Sequence, residues 1–329
     1  QNNKQPKTAT NSQLYFSKRN LKMAYYSVFH NYITKKKNAI GLPVLALIWC
    51  CFFWGTTWIA SKEGVKHMPA LQLVAIRQLL GGGIFLLYFL ITKAPWPNKR
   101  QWRNILILSV LNFMLSNGLS TWGVKYISSG LGAIIGSIFP LWIVIISFFR
   151  GEKISWRATL GLVICFLGIC VIFYDYLNDF LNPEFQFGII LSIIATFTWA
   201  LSTIYIKENN TNFNPYFNIG LQMLISSVVM FSVCEISGIS MPLIAIPAIS
   251  WWAIGYLVIF GSVFTFIAFI YALEHLPREI SSLYAYINPM VALLFGYLLF
   301  NESLSTAIII GGLITLSGLF MVNRAIKKK

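Results

Sequence analysis

Ten apolar runs, each about as long as a bilayer core is thick, decide most of what this chain can become. They fall at roughly 44–61, 71–91, 104–123, 128–148, 158–174, 187–206, 216–234, 250–272, 280–300 and 304–322. A helix rising 1.5 Å per residue needs about 20 apolar residues to cross the hydrocarbon. Ten such spans consume most of the 329 residues. No stretch between them is long enough for a folded domain, which excludes a soluble enzyme and a single-span receptor. Composition agrees. Charged residues make up 11% of the chain, against about 25% in soluble domains. Lipid offers no partner to backbone polar groups, so the spans must be helices.

The connections are short and carry turn residues, as in Lys93-Ala-Pro-Trp-Pro-Asn98 and Asn182-Pro183. Consecutive spans must therefore run antiparallel in a compact bundle. The formal net charge of +15 would suggest nucleic acid in a soluble protein. Here the basic residues sit in loops and tails, where they report topology. With the N-terminus inside, every Lys and Arg except Arg77, Lys62, Lys66 and Lys125 falls on the cytoplasmic side. The positive-inside rule then predicts a multi-pass protein of the cytoplasmic (inner) membrane with both termini cytoplasmic. Residues 1–43 are polar and basic, read as a disordered or surface-bound tail that Lys35-Lys36-Lys37 holds to the inner leaflet.

The two halves of the chain align. Trp54 and Lys62 match Trp199 and Lys207 at an offset of 145, and Pro69 matches Pro215 at 146. Trp102 and Pro140 match Trp251 and Pro289 at 149. Glu152, Ser155, Gly161 and Gly168 match Glu302, Ser305, Gly311 and Gly318 at 150. Five spans per half is an odd number, so the second half enters the membrane from the opposite side. The predicted fold is an all-α membrane protein of ten transmembrane helices in two inverted five-helix repeats, at 44–174 and 187–322. That architecture is characteristic of secondary transporters and places cargo near the midplane between the repeats.

Several of these residues also carry a family resemblance. Pro69 followed by Arg77, Ile138-Phe-Pro140 through Arg150-Gly-Glu152-Lys153, and Ile287-Asn-Pro289 through Asn301-Glu302-Ser303-Leu304 into Gly311-Gly312 and Gly318 form one set. Together they resemble the EamA group of the drug/metabolite transporter superfamily over about residues 44–322. The resemblance implies a ten-helix exporter of small metabolites with a central cavity. Asn301 departs from it, since the family often has Gly before the Glu.

Candidate site residues follow from polarity inside spans. Arg77 is the one charge well within a span, where a cation costs at least about 2.5–3.5 kcal/mol if left in lipid. It can contact a carboxylate-bearing cargo, find structural carbonyl partners, or snorkel to the nearer surface. Three polar stripes at helical spacing point inward: Asn112, Ser116 and Ser120; Asn218, Gln222 and Ser226; Ser281, Tyr284 and Asn288. Each reads either as interhelical glue or as cavity wall. Trp54, Trp58 and Trp199 lie within spans, unlike belt tryptophans, and can wall a cavity for apolar or aromatic metabolites. Pro140 and Pro289 kink their helices and are candidate hinges. Asn288 is placed to cap the second kink. Gly132 and Gly136 read as close helix contact. Glu152 and Glu302 precede helices, where a carboxylate favours the helix dipole; proton coupling is the alternative role, against which their lying on opposite sides of the membrane argues.

The five cysteines lie in or beside apolar runs, without a CxxC, and read as small core residues. The histidines are scattered, and no HExxH, GxSxG or Walker A is present. No enzyme, no cofactor and no metal are therefore predicted. The partners expected are a small-molecule metabolite and the lipid bilayer, no nucleic acid, with the protein a monomer or homodimer. Amino acids or related compounds are the expected cargo, from the resemblance together with Arg77 and the aromatic residues. A non-transporting scaffold or lipid-handling protein is the alternative, for which an inverted repeat has no obvious use.

Overall fold

The computed structural model describes residues 41–209, 211–276, 278–281 and 283–326. The predicted tail lies outside them except for residues 41–43. Ten membrane-scale helices follow in order: α1 Gly41–Val65, α2 Ala70–Ile91, α3 Lys99–Gly123, α4 Ser129–Phe149, α5 Trp156–Tyr174, α6 Pro183–Glu208, α7 Pro215–Ile236 and α8 Ala248–His275, then α9 Tyr284–Phe300 and α10 Thr306–Ile326. Among the described residues, all but α9 are long and apolar enough to cross a membrane alone. A short helical turn, Arg278–Ser281, precedes α9. The two halves, α1–α5 and α6–α10, are the inverted repeats that the sequence predicts.

Local chemistry sets the helix ends. Asn98 and Gln101 form a reciprocal capping box at α3, and Ser128, Ser155, Asn182 and Asn214 each accept from an amide of the turn that follows. Pro183 and Pro215 occupy first-turn positions where the missing N–H costs nothing. Helix ends alternate between two faces of the bundle. The α2–α3, α4–α5, α6–α7 and α8–α9 connections share one, called here the first face. The other connections share the second.

The tightest seams join repeat-related helices, α5 against α10 and α2 against α7. Gly168 and Gly318 let backbone lie on backbone: a Cβ at Gly168 would sit 2.5 Å from Thr315 N, and one at Gly318 would sit 2.5 Å from Cys165 N. The outward surface is apolar, with exposed residues such as Leu87, Phe166 and Leu298, as a lipid-facing belt requires.

Two departures from regular helix bear on function. Residues Ser109–Gly118 of α3 and Leu257–Phe264 of α8 are π-helical. These are repeat-equivalent stretches. Helix α4 breaks at Ile138, and Pro140 stands in the first turn of its second segment, whereas Pro289 is held inside continuous α9. Equivalent prolines thus have unlike outcomes: the break absorbs the hydrogen bond that Pro140 cannot make, and α9 accommodates its own proline.

Candidate functional site

A cavity of about 150 Å³ lies between the repeats, walled by α1, α2, α3 and α4 from one and by α6, α8 and α9 from the other. Of the residues singled out in the sequence, Trp54, Trp58, Arg77, Ser116, Ser120 and Gly136 line it from the first half, and Trp199, Tyr284, Asn288 and Pro289 from the second. That volume suits a small organic solute.

Arg77 stands on α2 with 6% of its surface exposed, so it does not snorkel. Its Nε donates to Ser262 Oγ at 2.9 Å and its Nη2 to Gly261 O at 3.4 Å. Both partners, a side-chain hydroxyl and a backbone carbonyl, belong to the π-helical part of α8, the kind of local irregularity that is frequent at functional sites. The same Gly261 carbonyl accepts the Trp54 indole N–H at 3.1 Å. The ion pairs among the described residues join Lys66 and His67 to Glu63 and Arg150 to Glu208, all at partly or fully exposed positions. The Arg77 guanidinium therefore borders the cavity without a carboxylate partner.

Aromatic rings form the remaining wall. Trp54 packs against Phe266, Phe269 and Tyr284 with ring centroids 5.5, 4.8 and 5.6 Å apart. Trp58 lies across α4, where a Cβ on Gly136 would fall 2.8 Å from its ring and one on Gly132 would fall 3.0 Å from it. The close contact predicted for these glycines is thus with an indole face at the cavity, not only with another helix. Asn288 leaves its buried side-chain oxygen without a hydrogen-bond partner. Asn117, another lining residue, carries a second such oxygen.

Asn112, Asn218 and Gln222 were expected on the cavity wall and stand elsewhere. Asn112 Nδ2 donates to Gln222 Oε1 at 3.1 Å, and Gln222 Nε2 donates to Asn218 Oδ1 at 2.9 Å. This chain ties α3 to α7 away from the cavity. Asn112 lies one turn before Ser116 along α3, where its amide is taken up by Gln222 of α7, while Ser116 faces the cavity. Asn117 and Thr121 line the cavity beside Ser116 and Ser120, a second pair at four-residue spacing on the same helix. Thr57 with Ser61 and Ser192 with Thr196 also line it. Their spacing of four was a readable signal among small hydroxyl residues. Pro140 is buried outside the lining. As one expected outcome, Asn112→Ala keeps transport within about threefold of wild type, since interhelical hydrogen bonds in bilayers average about 0.6 kcal/mol. A tenfold loss in a transport assay would return Asn112 to the cargo path.

Glu302 also departs from expectation. Its own helix α10 is capped by Ser305, which accepts from Ile308 N at 3.1 Å. The Glu302 carboxylate instead crosses to the other repeat and accepts from Ser129 N, Ser129 Oγ and Gly130 N at 2.8, 2.8 and 3.2 Å. Asn301 turns the chain toward it with φ 53°, and its repeat-equivalent Gly151 has φ 77°. A left-handed residue is what both turns need, and Asn tolerates it.

Comparison with known proteins gives a consistent picture. The sequence model described as the EamA-like transporter family matches residues 41–174 and again 186–324. The uncharacterized transporter YoaV of Bacillus subtilis is 26% identical, covering 84% of this chain and 95% of its own. The uncharacterized inner membrane transporter YedA of Escherichia coli K12 is 28% identical, over 80% of this chain and 85% of its own. A chloroplastic WAT1-related protein of Arabidopsis thaliana is 27% identical, over 83% and 67%. One crystal structure superposes with a TM-score of 0.60 at 15% identity, over 85% of this chain and 98% of that one, a likeness of fold alone.

Proposed function

The chain belongs to the EamA-like transporter family, and from that premise we propose that it exports small zwitterionic metabolites, amino acids or related compounds, by alternating access. One observation carries this reading: a buried guanidinium without a carboxylate partner among the described residues lines an aromatic-walled cavity together with Asn117 and Asn288, whose buried amide oxygens have no hydrogen-bond partner. Arg77 would take the cargo carboxylate, for which its planar fork is suited. Asn117 and Asn288 would accept from the cargo ammonium. Trp54, Trp58, Trp199 and Tyr284 would cover its apolar side chain. Ser116 completes the polar wall.

In this reading the first face is cytoplasmic, following the loop charges, and the membrane is the inner membrane. Pro140 and Pro289 sit where α4 and α9 would flex. The test is untargeted mass spectrometry of medium and cell extract from a deletion strain, an overexpressing strain and an Arg77→Ala overexpresser. An amino acid or relative should leave the cells only when the intact protein is abundant. Unchanged profiles, with the protein verified in the membrane, would overturn export.

A further inference from the structure

We infer that Glu302 is the latch that closes the second face, and that Glu152 is the same latch for the first face in the opposite state. The inference rests on the alternating-access reading and adds to it the residues that hold each state. Glu302 links the halves: it leaves the α9–α10 turn of the second repeat and binds the first turn of α4 in the first. Gly296 makes room for it, since a Cβ there would fall 2.6 Å from Glu302 Oε2. Around this latch the first half of α4 packs along α9. On the same face Lys62 Nζ donates to Lys125 O at 3.2 Å and Ile127 O at 2.8 Å, bracing the turn that presents Ser129.

The repeat supplies the same parts to the first face. Glu152 follows the left-handed Gly151 as Glu302 follows Asn301. Glu152 N donates to Ser147 O and Glu302 N to Gly296 O, so Ser147, a small residue, stands in the place of Gly296. Ser129 and Gly130 correspond to Arg278 and Glu279, whose backbone N–H groups open the turn leading into α9. Lys207 corresponds to Lys62. Yet Glu152 and Lys207 are both exposed, and neither side chain makes a hydrogen bond among the described residues. One latch is shut and its twin is released, which is the asymmetry that alternating access demands of a symmetric pair.

Spin-label distances on purified protein in lipid nanodiscs test this without knowledge of the cargo. Repeat-related pairs serve: Lys125→Cys with Ser303→Cys across the second face, and Lys153→Cys with Glu274→Cys across the first. Glu302→Gln should shift the population about tenfold toward a longer second-face distance and a shorter first-face distance, the change one charge-assisted hydrogen bond supports. Gly296→Ala, which crowds out the carboxylate while keeping its charge, should do the same. Glu152→Gln should deepen the present state. Monodisperse elution of each variant separates these shifts from misfolding. If Glu302→Gln and Gly296→Ala lengthen the second-face distance alone, or change nothing, the latch is merely a helix cap and the inference is overturned. If no sample, wild type included, shows opposed changes at the two faces, alternating access itself falls with it.

Discussion

Replacing Arg77 with alanine is expected to abolish transport while the protein still folds and reaches the membrane. The guanidinium is buried against Ser262 and Gly261 with no carboxylate to neutralise it. Its removal leaves no orphaned counter-charge, only a hydroxyl and a carbonyl that water in the cavity can serve. Loss of the folded state is therefore not the predicted consequence. Cargo binding is another matter, because truncating one partner of a buried, hydrogen-bonded charge pair costs about 2–5 kcal/mol. Thermal shift of the purified protein gives a direct reading with three probes: tryptophan, tryptamine and 3-indolepropionate. Tryptophan should stabilise the wild type, while tryptamine lacks the group for Arg77 and the acid lacks the group for Asn117 and Asn288. Arg77→Ala should erase the tryptophan shift, and Arg77→Lys, keeping charge without the fork, should retain part of it. An Arg77→Ala protein that binds and transports as wild type would show the charge to be structural.

Gly318→Leu is expected to cause the largest loss of stability of any single substitution considered for this chain. A Cβ at this position meets Cys165 N at 2.5 Å, Gly161 O at 2.7 Å and Cys165 Cα at 2.9 Å, all backbone atoms that cannot rotate away. Helices α5 and α10 would have to part along a seam that buries Cys165, Ile172, Leu319 and Val322 to 1% exposure or less. Overpacking of this kind costs about 3 kcal/mol or more, a large share of the roughly 5–15 kcal/mol that holds a folded protein together. Thermal unfolding followed by size-exclusion chromatography should show a Tm lowered by roughly 10 °C, or no monodisperse peak. Gly312→Leu is the internal control: it lies on the same helix with nothing within 4 Å of its Cβ and should be tolerated. Equal behaviour of the two variants would refute the backbone-contact argument.

How much of this was readable beforehand differs between fold and site. The ten spans, their ends near Ser155, Asn182 and Pro215, and the repeat were all legible, because each depends on residues close together in the chain. Arg77, the tryptophans and Asn288 were found because a polar or bulky group inside an apolar run is conspicuous by itself. Asn117 stands one residue on from Ser116, beside the stripe that was read on α3, and Asn112 was misplaced because its partner, Gln222, lies 110 residues away. Glu302 was assigned to the wrong helix because its partners, Ser129 and Gly130, lie 173 and 172 residues away.

The sequence alone determined that this is a membrane bundle of two opposed repeats, since lipid forces every apolar run to satisfy its backbone within its own helix. Which polar groups meet was decided only by the tertiary structure. Arg77 reaches Ser262 across 185 residues, and the Gly261 carbonyl serves both Arg77 and Trp54 because α1, α2 and α8 meet there. A helix in lipid can be foretold from its own residues. The face it turns to the cavity depends on its neighbours, whose close packing on Gly168 and Gly318 sets where each side chain ends.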